Sequence, residues 1–143
     1  MRSKDDLTPS MEDYLETILL LEQKNRVARV KDIAERLSVQ MPSVTGALKT
    51  LKGRELVDYE KNSFINLTPK GLKLAKAILS RHEILVEFFR EALGLEGESA
   101  ENQACMVEHA IEQDTAVRFR NLTGWIQSRR KNADDVPGTS VQE

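Results

Sequence analysis

Two short stretches of the chain carry the same apolar spacing one after the other, and this repetition limits the fold most. Val30, Ile33, Ala34 and Leu37 stand at i, i+3, i+4 and i+7, and so do Val44, Ala47, Leu48 and Leu51. Such spacing puts the four side chains of each stretch on one stripe of an α-helix. Only the turn Ser38-Val39-Gln40 lies between them, and Pro42 suits the first turn of the second helix. Two helices joined this tightly match the helix-turn-helix unit. The outer face of the second helix holds Ser43, Thr45, Gly46, Lys49, Thr50 and Lys52. Hydroxyls contact phosphates or base edges and lysines pair with phosphates, so this face suits the major groove of DNA. Gly46 costs a helix interior about 1 kcal/mol relative to alanine, and close approach of DNA or of another backbone would explain it. An ordinary helical hairpin with a polar surface fits the same pattern.

The next segment of the chain favours the DNA reader. Leu56–Tyr59 and Phe64–Leu67 are β-prone runs around the polar turn Glu60-Lys61-Asn62-Ser63. A hairpin directly after a helix-turn-helix makes a winged helix, with Lys61 at the tip to meet a phosphate. From Arg26 to Lys61 there are eight Lys/Arg against five Asp/Glu, a local balance of +3 in a chain of net charge −2. That asymmetry favours a polyanion partner.

The remaining segments read as helices. Ser10 can cap a helix from Met11 to about Lys24, with Asp13 three residues on as in a capping box. Asp13 and Glu16 stand at i and i+3 and can face one object, or serve only as a cap and a solvated charge. Arg26–Val30 is a short β-like run or tight link. Thr68-Pro69 opens a long helix to about Ala92 that includes His82, more often a surface residue than a ligand. Ser99 can cap a helix from about Ala100 to Gln113. On it Cys105, Glu108 and His109 fall at i, i+3 and i+4, so a thiol, a carboxylate and an imidazole project from one stripe. A last helix runs from about Asp114 to Gln127. The expected domains are residues 1–70, a winged helix-turn-helix, and 71–128, an all-helical metal-binding and dimerisation domain. Residues 129–143 are expected to be a disordered tail. The fold class is mainly α.

Composition bounds the class. The chain has 143 residues, 40% hydrophobic and 31% charged, enough for one domain or two small ones. Mean hydropathy is −0.45, and no apolar run reaches the roughly 18–20 residues of a membrane span. The polar start, without an apolar h-region, does not read as a signal peptide. A single cysteine excludes an intramolecular disulfide and fits a reducing, cytoplasmic location.

Several motifs, in order, resemble the DtxR/MntR family of metal-dependent transcriptional regulators. They are Met11-Glu12-Asp13-Tyr14-Leu15-Glu16, Ala28-Arg29-Val30-Lys31-Asp32-Ile33-Ala34 and Pro42-Ser43-Val44-Thr45, then Leu67-Thr68-Pro69-Lys70-Gly71, Arg81-His82-Glu83 and Glu108-His109. The resemblance spans residues 10–127 and implies the short form that lacks an SH3-like domain. It implies a homodimer that binds double-stranded operator DNA and represses metal-homeostasis genes, with no small-molecule substrate and no membrane. Carried over residue by residue, the family's metal site maps onto Asp13, Glu16, His82, Cys105, Glu108 and His109. Manganese-sensing members typically have a carboxylate at the place of Cys105. Iron-sensing members have cysteine there, using its side chain or its backbone carbonyl, but methionine at the place of Asp13. The mixture points to Fe(II) or Mn(II), with Zn(II) and Co(II) open. Val86 replaces an acidic residue that some relatives carry four after the histidine.

Two other classes are compatible with the residues alone. One is a winged-helix regulator indifferent to metal. The other is a metal-dependent hydrolase, although no H-E-x-x-H and no nucleophile elbow is present. Leu85, Phe88, Phe89, Met106, Ile111, Phe119 and Trp125 exceed what one thin helical layer hides, which favours a two-fold dimer over a private monomer core.

Overall fold

A computed structural model describes residues 7–60 and 63–131 of the chain. The order is α1 (Pro9–Asn25), α2 (Val30–Leu37), α3 (Met41–Gly53), β1 (Val57–Asp58), β2 (Asn66–Leu67), α4 (Pro69–Glu91), α5 (Glu98–Glu108) and α6 (Gln113–Lys131). The fold is mainly helical, as expected. The chain divides into two compact units at Ile78/Leu79, inside the continuous helix α4.

In the first unit α1 packs on α2, α3 and β2, and β1 packs on α3. The apolar stripes read from the sequence meet here. Leu15, Ile18, Ile33, Val44, Leu48, Leu51, Val57 and Ile65 are fully buried. The two strands pair antiparallel with Val57 opposite Leu67 and Asp58 opposite Asn66. Ala28 adds an isolated bridge to Ile65, whose N–H donates to the Ala28 carbonyl at 3.0 Å. The β-like link thus forms, as one rung that ties the wing to the α1–α2 connection. A contact hidden from sequence reading extends the same edge: Leu67 N–H donates to the Glu22 carboxylate at 3.2 Å.

Several boundaries differ from the sequence reading. α1 begins at Pro9, and its cap is Thr8, whose hydroxyl accepts from Met11 N–H at 3.2 Å. Ser10 is therefore helical, and Asp13 lies beyond the first turn instead of closing a capping box. The pair Thr8-Pro9 wins because threonine at the cap and proline inside the first turn together favour helix entry. α5 stops at Glu108 and leaves His109 as its C-cap. α6 continues to Lys131, so residues 129–131 of the expected tail are helical. Residues 132–143 and Lys61 lie outside the described residues.

In the second unit Leu85, Val86, Ala100 and Ala104 form a buried cluster against which Phe89, Leu95, Val107, Ile111 and Phe119 pack. Ala100 and Ala104 sit one turn apart on α5, and both are fully buried. Leu85 and Val86 of α4 share this cluster with Ala100 and Ala104 of α5, which sets where the later side chains of α5 stand relative to α4. Leu85 is wholly internal, whereas Met106 and Trp125 are exposed by 70% and 56%.

Candidate metal centre

Glu108 is the focus of the second unit. It ends α5 with its side chain fully buried and, with Glu12, is one of two buried charged residues among the described residues. Its Oε2 lies 3.1 Å from His82 Nδ1, and its Oε1 lies 3.3 Å from His109 Nε2. Neither carboxylate oxygen accepts a hydrogen bond of proper geometry among the described residues. A buried carboxylate without such donors is costly unless a cation neutralises it. The Cys105 sulfur, a Glu108 oxygen and a His109 nitrogen lie within 4.8 Å of one another, as do ligand atoms of His82 and Glu108. The two groups meet at Glu108, and their imidazole, carboxylate and thiol donors are of the kinds that bind first-row divalent ions. The residues present fit a transition metal.

Local structure explains the convergence. Cys105 and Glu108 are i and i+3 on α5, and His109 follows as the cap. His82 comes from α4. The structure thus gathers His82, Cys105, Glu108 and His109. Asp13 and Glu16 stand one turn apart on α1 in the first unit, both half-buried. Val86 is buried in the apolar cluster and offers no ligand.

Sequence reasoning missed the outer layer. The second nitrogen of His82, Nε2, lies 3.9 Å from Glu101 Oε2, and Glu101 is itself 3.4 Å from Arg90 Nη2. At 3.9 Å this is an electrostatic neighbour of the imidazole and not a hydrogen bond. The signal was available only in part: Glu101 precedes Glu108 by two helical turns, but nothing in the sequence pairs it with α4. His82 also borders a hollow of about 380 Å³ lined by Glu83, Glu87, Glu91, Glu101 and Arg90. Two of these carboxylates are paired, Glu101 with Arg90 at 3.4 Å and Glu91 with Arg130 at 3.6 Å.

On α3, Ser43, Thr45, Gly46, Lys49 and Lys52 are all exposed. Lys52 Nζ donates to the Tyr59 carbonyl at 2.8 Å and so helps to hold the wing against α3. The first turn of α3 and the wing enclose an open hollow lined by Arg29, Met41, Thr45, Tyr59 and Phe64. There the Arg29 guanidinium lies 5.2 Å from the centre of the Phe64 ring.

Two family models together cover most of the chain. Residues 6–64 match the family described as iron dependent repressor, N-terminal DNA binding domain. Residues 68–133 match its metal binding and dimerisation domain. The chain belongs to this family. It is a metal-dependent DNA-binding repressor that dimerises through its second domain, and such regulators are not enzymes. It is 38% identical over 132 residues to the HTH-type transcriptional regulator MntR of Bacillus velezensis, covering 90% of this chain and 92% of that one. With the regulator of the same name from Lysinibacillus sphaericus it shares 40% over 129 residues, 90% of each. Among solved structures, the manganese regulator SloR superposes with a TM-score of 0.72 at 28% identity. That match covers 83% of this chain but 55% of SloR, so the chain spans about half the length of that protein. Among the described residues no helix is long and apolar enough to cross a membrane.

Proposed function

We propose that this chain is a cytoplasmic Fe(II)- or Mn(II)-responsive repressor that binds operators of metal-homeostasis genes as a homodimer. The observation that carries the metal reading is the buried Glu108 carboxylate, set between His82 and His109 without hydrogen-bond donors. The ligand set is His82, Cys105, Glu108 and His109, completed by Asp13 and Glu16 from α1. When bound, the divalent cation supplies the positive charge these carboxylates require. In its absence Asp13, Glu16 and Glu108 repel one another, and α1, which belongs to the reader, is not held. With the charges balanced, Asp13 and Glu16 fix the reader so that two copies of α3 meet half-sites about 34–36 Å apart or a multiple of it. Cys105 contributes either its thiol or its backbone carbonyl to this set.

The test is anaerobic titration of chelator-treated protein against duplexes drawn from a random pool, with Mn(II), Fe(II), Co(II) and Zn(II) in turn. Sequence-specific binding that requires metal, and its loss in His109→Ala, are expected. Equal affinity with and without metal would overturn the sensor reading, and the order of midpoints ranks the metals.

A further inference from the structure

The wing carries an aromatic ring that the core of the first unit does not use. Phe64 is 47% exposed, while the next residue, Ile65, is fully buried. A cation stands against the ring instead: the Arg29 guanidinium lies 5.2 Å from its centre. The backbone fixes this pair. Ala28 bridges antiparallel to Ile65, and both are fully buried. One step along an antiparallel ladder, residue 29 comes opposite residue 64, on the face away from the buried pair. Folding does not otherwise use the Arg29 side chain. It stands at the N-cap of α2 without making a cap bond, and no carboxylate among the described residues pairs with it. An exposed cation–π pair stabilises a fold only weakly. It does restrict the arginine, while the N–H donors at the edge of the guanidinium remain available.

The hollow beside the pair, about 380 Å³, reaches from the first turn of α3, at Met41 and Thr45, to Tyr59 and Ser63 of the wing. Its described lining holds one cation, Arg29, and no carboxylate. Thr45 Oγ1 donates to the Pro42 carbonyl and Ser63 Oγ to the Glu60 carbonyl, each within its own element. Arg29 and the Tyr59 hydroxyl are the side-chain donors left to the hollow. An open, carboxylate-free hollow with one cation, set between a helix and a wing, suits an anion carried by an extended partner. The partner of this domain is DNA, whose backbone phosphates a guanidinium meets in bidentate fashion.

We propose that Arg29 binds a DNA phosphate at the edge of the groove that α3 reads, and that Phe64 is the positioning residue that holds the guanidinium for it. The inference rests on the reading of α3 as the groove-binding helix. Such a contact sets register and affinity but reads no base.

The probe is a duplex selected from a random pool by the full-length, metal-loaded protein, using Mn(II) and, anaerobically, Fe(II). Each phosphate of that duplex is then replaced in turn by an uncharged methylphosphonate. At one phosphate of each half-site the parent should lose about tenfold in affinity, and Arg29→Ala should be indifferent to the same replacement. On the unmodified duplex Arg29→Ala should bind about tenfold more weakly with the same ranking of sequences, and its salt slope should fall by about one per protomer. Arg29→Lys should regain the slope, because the charge returns, but not the full affinity. Phe64→Leu keeps the apolar bulk and the Arg29 charge, so it should weaken binding roughly threefold at an unchanged slope. Phe64→Tyr should bind as the parent does, and Phe64→Leu added to Arg29→Ala should cost nothing further. These side chains are exposed, so every variant should melt within about 3 °C of the parent. A salt slope and a methylphosphonate profile unchanged by Arg29→Ala would overturn the phosphate contact. Full additivity of the two substitutions would overturn the part played by Phe64. Recovery of no duplex with either metal would instead overturn the groove-binding reading beneath both.

Discussion

Glu108 is the residue on which the imidazoles of His82 and His109 converge. With the carboxylate fully buried and short of donors, replacing it by the neutral amide in Glu108→Gln removes a desolvation penalty from the metal-free protein. The expected result is a metal-free Tm equal to or above the parent's. Mn(II) at a hundredfold over its Kd should stabilise the parent by about 2.7 kcal/mol, or roughly 8–10 °C, and leave the variant nearly unmoved. A variant that melts lower without metal yet keeps the Mn(II) shift would show that Glu108 is structural. Cys105 tests selectivity at the same scale. Its exposed thiol is the softest donor of the set, so Cys105→Glu should move the operator-binding midpoint toward Mn(II) relative to Co(II) and Zn(II). An unchanged ranking would remove the thiol from the selective part of the site. The candidate ligands Cys105, Glu108 and His109 could be read from the sequence as a group because they lie within five residues, at helical spacing. Glu101 and Arg90 could not, since their place behind His82 depends on how α5 lies against α4.

At the scale of the element, the start of α4 is the most constrained junction of the first unit. Thr68 Oγ1 donates to the Glu55 carbonyl at 2.7 Å and accepts from Gly71 N–H at 3.0 Å, while Thr68 N–H donates to the Leu56 carbonyl at 3.1 Å. One residue thereby caps α4 and fastens it to the end of α3. Gly71 permits the approach: a Cβ there would drive into the carbonyl oxygen of Leu56 and stand 2.8 Å from its carbonyl carbon. Backbone cannot yield as a flexible side chain does. Gly71→Ala should therefore destabilise the protein by about 3 kcal/mol or more, and Thr68→Ala by about 1–2 kcal/mol, in urea denaturation. Gly46→Ala, with open space around it, is the control of opposite sign. Both glycines stand in helices, and the sequence alone does not tell them apart. The same limit explains which elements were legible. α2 matched its expected bounds because its four apolar residues fill the helix. Ser38, in the left-handed conformation with φ 55°, then closes it by donating its N–H to the Ala34 and Glu35 carbonyls. The end of α5 was misjudged because His109-Ala110-Ile111 holds no glycine or proline to mark a stop.

For the whole molecule, a sensor of this kind ties metal affinity to DNA affinity through one free energy. If Asp13 and Glu16 share a cation with His82, Cys105, Glu108 and His109, the factor by which metal tightens operator binding must equal the factor by which operator tightens metal binding. Couplings of this kind are about 1–3 kcal/mol, or roughly 5–150-fold. The check is to measure the operator Kd with and without saturating Mn(II), then the Mn(II) Kd with and without saturating operator. The two ratios should agree within error. Removing both α1 carboxylates, in Asp13→Ala/Glu16→Ala, should bring both ratios close to one. The basal, salt-dependent attraction to duplex should persist, because it arises from lysines and arginines of the first unit such as Lys49 and Arg29. Since α1 contributes Tyr14, Leu15 and Ile18 to the core from its other faces, the double variant is expected to fold, and its thermal melt verifies this. Operator that leaves Mn(II) affinity unchanged would mean that metal acts without reference to the reader, for example by stabilising the dimer alone. A double variant that keeps full coupling would place the link between the two units elsewhere than on α1.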